Sequence, residues 1–200
     1  NIHLDLNNPG NGEAVLDWNK PSDSPIGAAY DIYKEFPAGI WSLIANVPYN
    51  TTKYRDTITV CEEFINYRIV LVTPDCEFKS NVAGDVFKDK IVPDIPLISY
   101  VDIDTITSNI TINWNENSQQ DTYGYVIYQT DGNGNLVPID TLYGIQNTSY
   151  THYEDPENGP YQYSIAAFDS CYTVNIPPTY QTSAKANPHT TILLKTNLNV

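Results

Sequence analysis

The sequence predicts an all-β protein made of two successive β-sandwiches of about seven strands each. Its composition favours strands, with 16 Tyr, 14 Pro and no Met beside abundant Thr, Ile and Val, side chains that fit a pleated, half-buried surface. Apolar residues alternate with polar ones at period two, and no amphipathic helix pattern stands out. Turn-forming clusters at residues 8–12, 131–135 and 155–160 separate these runs, a spacing typical of sandwiches.

Two sandwiches, rather than one, follow from an internal repeat. Trp18 and Trp114 lie 96 residues apart, and so do Tyr67 and Tyr163. Four matched segments keep nearly this offset, which chance does not produce. We therefore predict a first domain over residues 1–93, a second over 94–188, and the start of a third, truncated repeat over 189–200.

The matched strands follow one another in the same order in both repeats. Each repeat has a strand that ends on Trp, a strand with tyrosines at both ends, a short following segment, a Thr-x-Tyr strand and a strand that opens on Tyr. In the first repeat these are Val15–Trp18, Tyr30–Tyr33, the region of Trp41, Thr52–Asp56 and Tyr67–Ile69; in the second they are Thr111–Trp114, Tyr125–Tyr128, the region of Leu136, Thr148–His152 and Tyr163–Ile165.

The charge of the chain excludes two classes of partner. The sequence has 24 acidic and 10 basic residues, a formal charge of −14, so nucleic acid and anionic membrane surfaces repel it. No run approaches the ~18 apolar residues of a membrane span, and we expect none in this segment. Because the chain opens at Asn1 without a leader, we expect it to be a piece of a longer protein.

The candidate catalytic and metal-binding residues are few. His3, His152 and His189 have no Cys or His partner at metal-ligand spacing. Residues 131–135 begin like a calcium loop, but Leu142 occupies the twelfth position, where a bidentate Glu is needed. We predict a turn between two strands there. The sequence thus predicts no catalytic residue, no metal site and no cofactor, and a protein that is not an enzyme.

The tryptophans divide into two groups. Trp18 and Trp114 occupy matched positions in a repeated strand, so we predict that both fill the core between the sheets. Trp41 has no aromatic counterpart in the second repeat and is a candidate for an exposed ligand surface, although a core or rim position is favoured. Other aromatic residues that could join such a surface are Tyr49, Tyr143, Tyr153, Tyr172 and Tyr180.

Three cysteines leave two interpretations, buried apolar fillers or one bridge with one cysteine left over. Cys61 and Cys76 flank a predicted strand over residues 64–72. At ~3.3 Å per residue that strand separates them by ~30 Å, whereas a disulfide needs Cα atoms within ~7 Å. These two cysteines should not bond to each other.

The order of these motifs resembles tandem fibronectin type III domains over both repeats. The resemblance implies that Tyr67, Tyr161 and Tyr163 belong to the structural core and that Tyr161 is the corner tyrosine of the second domain. Ile65 stands at the equivalent position of the first, which departs from the family pattern.

The resemblance also implies a pairing for the cysteines. In a head-to-tail array of such domains, the loop that holds Cys61 faces the next domain, whose loop with Cys171 faces back. We therefore predict an interdomain Cys61–Cys171 disulfide, with Cys76 left to pair with a preceding domain. Such a bridge implies an oxidising compartment. The proline-containing linker over residues 90–96 is short and semi-rigid.

Residues 65–69, 124–128, 138–141 and 165–171 resemble, more narrowly, repeats of large Bacteroidetes surface proteins. Those proteins carry a gliding-motility-associated C-terminal domain and leave by type IX secretion. This resemblance implies a structural spacer or adhesion segment of an exported, cell-surface protein. Its expected partners are an unknown protein or glycan at the cell surface and neighbouring domains of the same chain. The alternatives are a glycan- or protein-binding module and accessory domains of a secreted glycoside hydrolase.

Overall fold

The computed structural model describes residues 1–22, 27–74, 76–104, 106–155, 158–173 and 179–191, with only the backbone of Thr173. It divides the chain into two compact units, Asn1–Ile91 and Val92–Val200. The domain boundary predicted after residue 93 lies two residues beyond this division.

The first unit is a sandwich of two antiparallel sheets. One sheet has the strand order β1-β2-β5, and the other has the order β4-β3-β6, where β6 pairs further with β7 and β8. The strands are β1 (Leu4–Asn7), β2 (Glu13–Trp18), β3 (Ala29–Glu35), β4 (Trp41–Pro48), β5 (Lys53–Thr57), β6 (Glu63–Val72), β7 (Glu77–Lys79) and β8 (Ala83–Phe87).

The second unit repeats this arrangement strand for strand. Its sheets have the orders β9-β10-β13 and β12-β11-β14-β15, and β16 also pairs with β14. The predicted all-β fold of two tandem sandwiches is confirmed. The strands are β9 (Ile98–Asp104), β10 (Asn109–Trp114), β11 (Thr122–Thr130), β12 (Leu136–Tyr143), β13 (Ser149–Tyr153), β14 (Gln162–Thr173), β15 (Thr179–Thr182) and β16 (His189–Thr190).

Of the residues expected to open a third repeat, the structure describes 189–191, and these lie in the second sandwich. In β16, His189 pairs with Tyr163 of β14. Thr191 then donates its backbone N–H to the Tyr161 carbonyl and accepts the Tyr161 N–H on its hydroxyl, both at 2.9 Å. β16 therefore takes the place in the second unit that β8 has in the first, because β16 pairs with β14 as β8 pairs with β6. Residues 192–200 lie outside the described residues.

Each core is built from strands whose side chains alternate between interior and surface. In β2 and β10 every second residue is buried, and both strands end on a buried tryptophan. Trp18 packs edge-on against Tyr30, with ring centroids 5.5 Å apart and planes at 70°. Trp114 packs against Tyr125 in nearly the same way, at 5.3 Å and 67°. Each unit therefore has the same aromatic contact between its own two sheets.

Tyr161 fixes the entry into β14. Its hydroxyl donates to the Asp155 carbonyl, six residues upstream, at 2.7 Å, which is the hydrogen bond of a tyrosine corner. In the first unit Ile65 occupies the matched position and is buried in the core. The equivalent strands β6 and β14 are thus anchored differently, by an apolar side chain in the first unit and by a polar hydrogen bond in the second.

Tyr161→Phe should destabilise the second unit by about 1 kcal/mol, because it removes this hydrogen bond and leaves the ring in place. The free energy of unfolding is measured by urea denaturation of the full chain, followed through NMR signals of β14. Tyr100→Phe, at an exposed tyrosine of β9, serves as the control. Equal stability of the Tyr161→Phe variant and the wild type would show that the corner bond contributes nothing.

Candidate functional site

The titratable groups nearest to the cores are held by structural contacts. In the first unit the Tyr67 hydroxyl donates to the Asp56 carboxylate at 2.7 Å, and the Lys34 ammonium lies 2.8 Å from the same oxygen. In the second unit the matched Tyr163 hydroxyl lies 2.7 Å from His152 Nε2. The Tyr67–Asp56–Lys34 triad and the Tyr163–His152 pair thus occupy matched positions in the two units and differ in chemistry.

Burial sets the proton affinities of these groups. It raises the pKa of the Tyr67 hydroxyl, with a further contribution from the Asp56 carboxylate, and it raises the pKa of Tyr163 in the same way, with a contribution from Glu154. Burial lowers the pKa of the His152 imidazole, against an opposing effect of the Glu154 carboxylate. Both tyrosines therefore stay protonated at neutral pH, and His152 favours its neutral form.

The segment that begins like a calcium loop forms a turn between β11 and β12. One carboxylate oxygen of Asp131 accepts the backbone N–H groups of Asn133 and Asn135, at 2.9 and 2.8 Å. Gly134 has a φ of +85°, a conformation that glycine adopts without strain. These hydrogen bonds lower the pKa of Asp131, the one from Asn135 most of all. Its carboxylate is used by the turn itself.

Trp41 lies at the start of β4, half-buried, and has a partner within its own unit. The Arg68 guanidinium carbon lies 4.4 Å from the Trp41 ring and 5.6 Å from the Tyr33 ring, distances of cation–π contacts. Arg68 Nε is buried and has no hydrogen-bond partner among the described residues. An internal cation thus covers part of the ring that the sequence offered as a ligand surface.

The structure brings together three of the other aromatic candidates with two residues that the sequence did not single out. Tyr143, Tyr172 and Tyr180 lie on the outer face of the sheet β12-β11-β14-β15 together with Tyr123 and Phe168. Ring centroids of neighbouring members are 5.2 to 6.3 Å apart. We call these five residues the outer aromatic cluster. Tyr49 instead stacks on Tyr30 in the first core, and Tyr153 lies exposed on β13.

Phe168 is the floor of this cluster, and Gly124 makes room for it. Phe168 is only 2% exposed, whereas Tyr123, Tyr143 and Tyr172 are 45%, 55% and 58% exposed. A Cβ at Gly124 would lie 2.8 Å from the Phe168 ring and 2.2 Å from the Leu142 carbonyl oxygen, closer than atoms approach. The missing side chain therefore lets the phenyl ring lie across β11.

Tyr123 and Phe168 were not predicted as surface residues of interest because these positions were not compared with the matched positions of the first repeat. By strand register, Gly124 pairs with Tyr143 and Phe168, and Ala29 of the first unit pairs with Pro48 and Val72. Pro48 and Val72 are thus the counterparts of Tyr143 and Phe168, and by the same offset Ala28 is the counterpart of Tyr123. A position-by-position comparison of the repeats would have found the change from small or aliphatic residues to rings.

The cysteines are in two oxidation states. Cys61 and Cys171 are disulfide-bonded, and Cys76 is an exposed free thiol. Cys61 lies in the turn before β6, Cys171 is buried near the end of β14, and Cys76 follows β6.

Solved structures similar to this chain are tandem fibronectin type III domains. The FN1–FN3 domains of chicken CNTN1 are 14% identical, with a TM-score of 0.41 over 94% of this chain and 64% of that structure. A two-domain fibronectin type III segment of chicken tenascin is 15% identical, with a TM-score of 0.48 over 96% and 97%. The chain thus spans less than two thirds of the CNTN1 structure. No protein-family model and no curated protein matches the sequence.

The fold of the chain itself is that of two successive antiparallel β-sandwiches. Among the residues that the structure describes, no helix is long and apolar enough to cross a bilayer.

Acid should weaken the second unit through His152. The imidazole of the unfolded chain titrates near ~6.5, and the folded pKa is lower, so the unfolded state binds the proton more readily and stability falls as the pH drops below about 6.5. His152→Gln removes this contribution, so the variant should lose less stability than the wild type between about pH 7 and pH 5.

The measurement is urea unfolding of the full chain at both pH values, followed through NMR signals of β13 and β14. His3→Gln changes an exposed histidine of the first unit and should keep the wild-type difference. An unchanged difference in His152→Gln as well would contradict the role of this residue.

Proposed function

We propose that this chain is a non-catalytic structural spacer and adhesion segment of an exported, cell-surface protein. Tandem fibronectin type III domains are commonly structural or adhesion modules. The observation that carries the proposal is the repeated scaffold, because the second unit reproduces the first strand for strand. A spacer needs length and stability, and it needs no site.

The use of the polar groups supports a non-catalytic role. Asp56 holds Tyr67 and Lys34, His152 contacts the Tyr163 hydroxyl, and Asp131 closes a turn. A general acid or base must lie within hydrogen-bond reach of its substrate. These side chains instead make hydrogen bonds or ion pairs within the fold.

Export is supported by the cysteines. Disulfide-bonded cysteines persist in oxidising compartments, outside the cytosol of most cells. We propose that Cys61 and Cys171, the two disulfide-bonded cysteines, bond to each other and so join the two units. A covalent link across a domain junction would stiffen a spacer, since it limits rotation about the linker.

The narrower origin of the protein is part of the same proposal. Residues 65–69, 124–128, 138–141 and 165–171 resemble repeats of Bacteroidetes surface proteins. Those proteins end in a gliding-motility-associated domain and use type IX secretion. The segment would then be a part of the extracellular stalk. Its acidity, −14 over the whole chain, keeps such an array soluble because like charges repel.

Peptide mapping without reduction tests the bond. After free thiols of the native chain are alkylated and the protein is digested, the Cys61 and Cys171 peptides should appear as one linked species, with Cys76 alkylated. Cys61 and Cys171 both found as alkylated thiols, or either one linked to Cys76, would contradict the pairing.

Small-angle scattering of the same full chain tests the spacer role. An elongated particle is expected, because a spacer must separate what it joins, and the Cys61→Ser/Cys171→Ser variant should show a broader distribution of sizes. Cys76→Ser, which keeps both bonded cysteines, is the matched control. A compact particle would refute the spacer.

A further inference from the structure

We propose that the outer aromatic cluster of the second unit is a docking surface for an extended, arginine- or lysine-bearing segment of a partner protein, whose cations lie on the tyrosine rings. This binding activity goes beyond the spacer role and does not depend on it.

The fold does not require these rings. The first unit builds the same sheet with Pro48 and Val72 at the positions of Tyr143 and Phe168, and with Ala28 where the second has Tyr123. Exposed aromatic side chains add nothing to a core and favour unwanted association. Their clustering on one face of one unit therefore indicates contact with another molecule.

The surface is already shaped. Phe168 is buried beneath the tyrosines, in the space that Gly124 leaves open, so the rings rest on a packed base rather than on mobile loops. Tyrosine gives a large, rigid contact area at low cost in side-chain entropy, and its hydroxyl adds a polar contact. Such a preformed patch loses little freedom when a ligand binds.

The electrostatics select a cation. Residues 94–200 hold 2 basic and 11 acidic residues, a formal charge of −9, which repels anionic ligands and attracts basic ones. The face of a tyrosine ring also attracts ammonium and guanidinium groups. Both effects favour the same ligand, a positively charged side chain.

Elsewhere the chain uses its own basic residues in this way. Lys185 lies 4.1 Å from the Tyr128 ring, Lys20 lies 4.5 Å from the Tyr49 ring, and Arg68 covers Trp41. Among the described residues, no Lys or Arg makes a cation–π contact with any ring of the outer aromatic cluster. The lack of an internal cation on these rings among the described residues supports a cation supplied by another molecule.

The spacing of the rings favours an extended segment. Tyr143, Tyr123 and Tyr180 follow one another across the sheet, with successive centroids 5.4 and 6.3 Å apart. Side chains on one face of an extended peptide repeat at about 6.6 Å, twice the rise per residue. Alternate residues of such a peptide can therefore meet successive rings, and its backbone can run across the strands.

The test is a fluorescence anisotropy titration of the full chain with a labelled peptide of alternating Arg and Ser. We expect saturable binding that weakens as salt is raised, and no binding of the matching Glu-Ser peptide. Tyr123→Ala/Tyr143→Ala should weaken the affinity for the Arg-Ser peptide about tenfold. Tyr123→Phe/Tyr143→Phe should stay within about twofold, because the rings remain.

Two controls distinguish binding by the outer aromatic cluster from attraction by the overall charge and from loss of binding through misfolding. Tyr100→Ala/Tyr153→Ala removes two exposed tyrosines of the opposite sheet and should leave the affinity unchanged. Retained amide spectra and the retained binding of the Phe variant show that the sheet is intact. Equal affinity in Tyr123→Ala/Tyr143→Ala, saturable binding of a neutral β-glucan oligosaccharide instead of the peptide, or no binding of any probe would overturn the proposal.

Discussion

Each sandwich depends on one contact between its two sheets, a tryptophan from one packed edge-on against a tyrosine from the other. Trp18 meets Tyr30 and Trp114 meets Tyr125 at nearly the same distance and angle. Aromatic side chains remove the largest area from water, and the edge-to-face arrangement adds a specific geometry. Because these rings lie between the two sheets, they determine which residues of β2 and β10 face inward. They also fix the position of β3 and β11 and the depth of each core.

The cores repeat, and the surfaces around them diverge. Beneath each sheet the same tyrosine, Tyr67 or Tyr163, meets a polar partner, which is a carboxylate in the first unit and an imidazole in the second. On the outer faces the first unit encloses Arg68 between aromatic rings, whereas the second presents rings to solvent. The same packing thus supports two outer faces with different side chains. Among the described residues, the exposed tyrosines lie on the second unit.

The sequence predicted the fold because the repeat and the period-two alternation are local patterns, visible without contacts. Trp18 and Trp114 were placed in the cores from their matched positions alone. Contacts between distant strands were not visible in the same way. Arg68 covers the Trp41 ring only because their strands lie in the same sheet. The assembly of Tyr123, Tyr143 and Phe168 on one face likewise depends on which strands are neighbours.

The end of the second unit shows the same limit. His189 and Thr190 resemble the start of the chain in sequence, yet they pair with β14. A short run of alternating residues fits the first strand of a new sandwich and the last strand of the old one equally well. Only the free edge of β14, which needs a partner for its backbone groups, decides between them.

Stability of the second unit tests most directly whether the inter-sheet aromatic pair, and not the outer aromatic cluster, maintains the fold. Tyr123→Ala/Phe168→Val introduces the residues that the first unit has at these positions, and Trp114→Ala removes the core ring. In urea unfolding of the full chain, the double variant should lose about 1–2 kcal/mol, and Trp114→Ala about 3–5 kcal/mol. A loss in the double variant as large as that in Trp114→Ala would contradict the account.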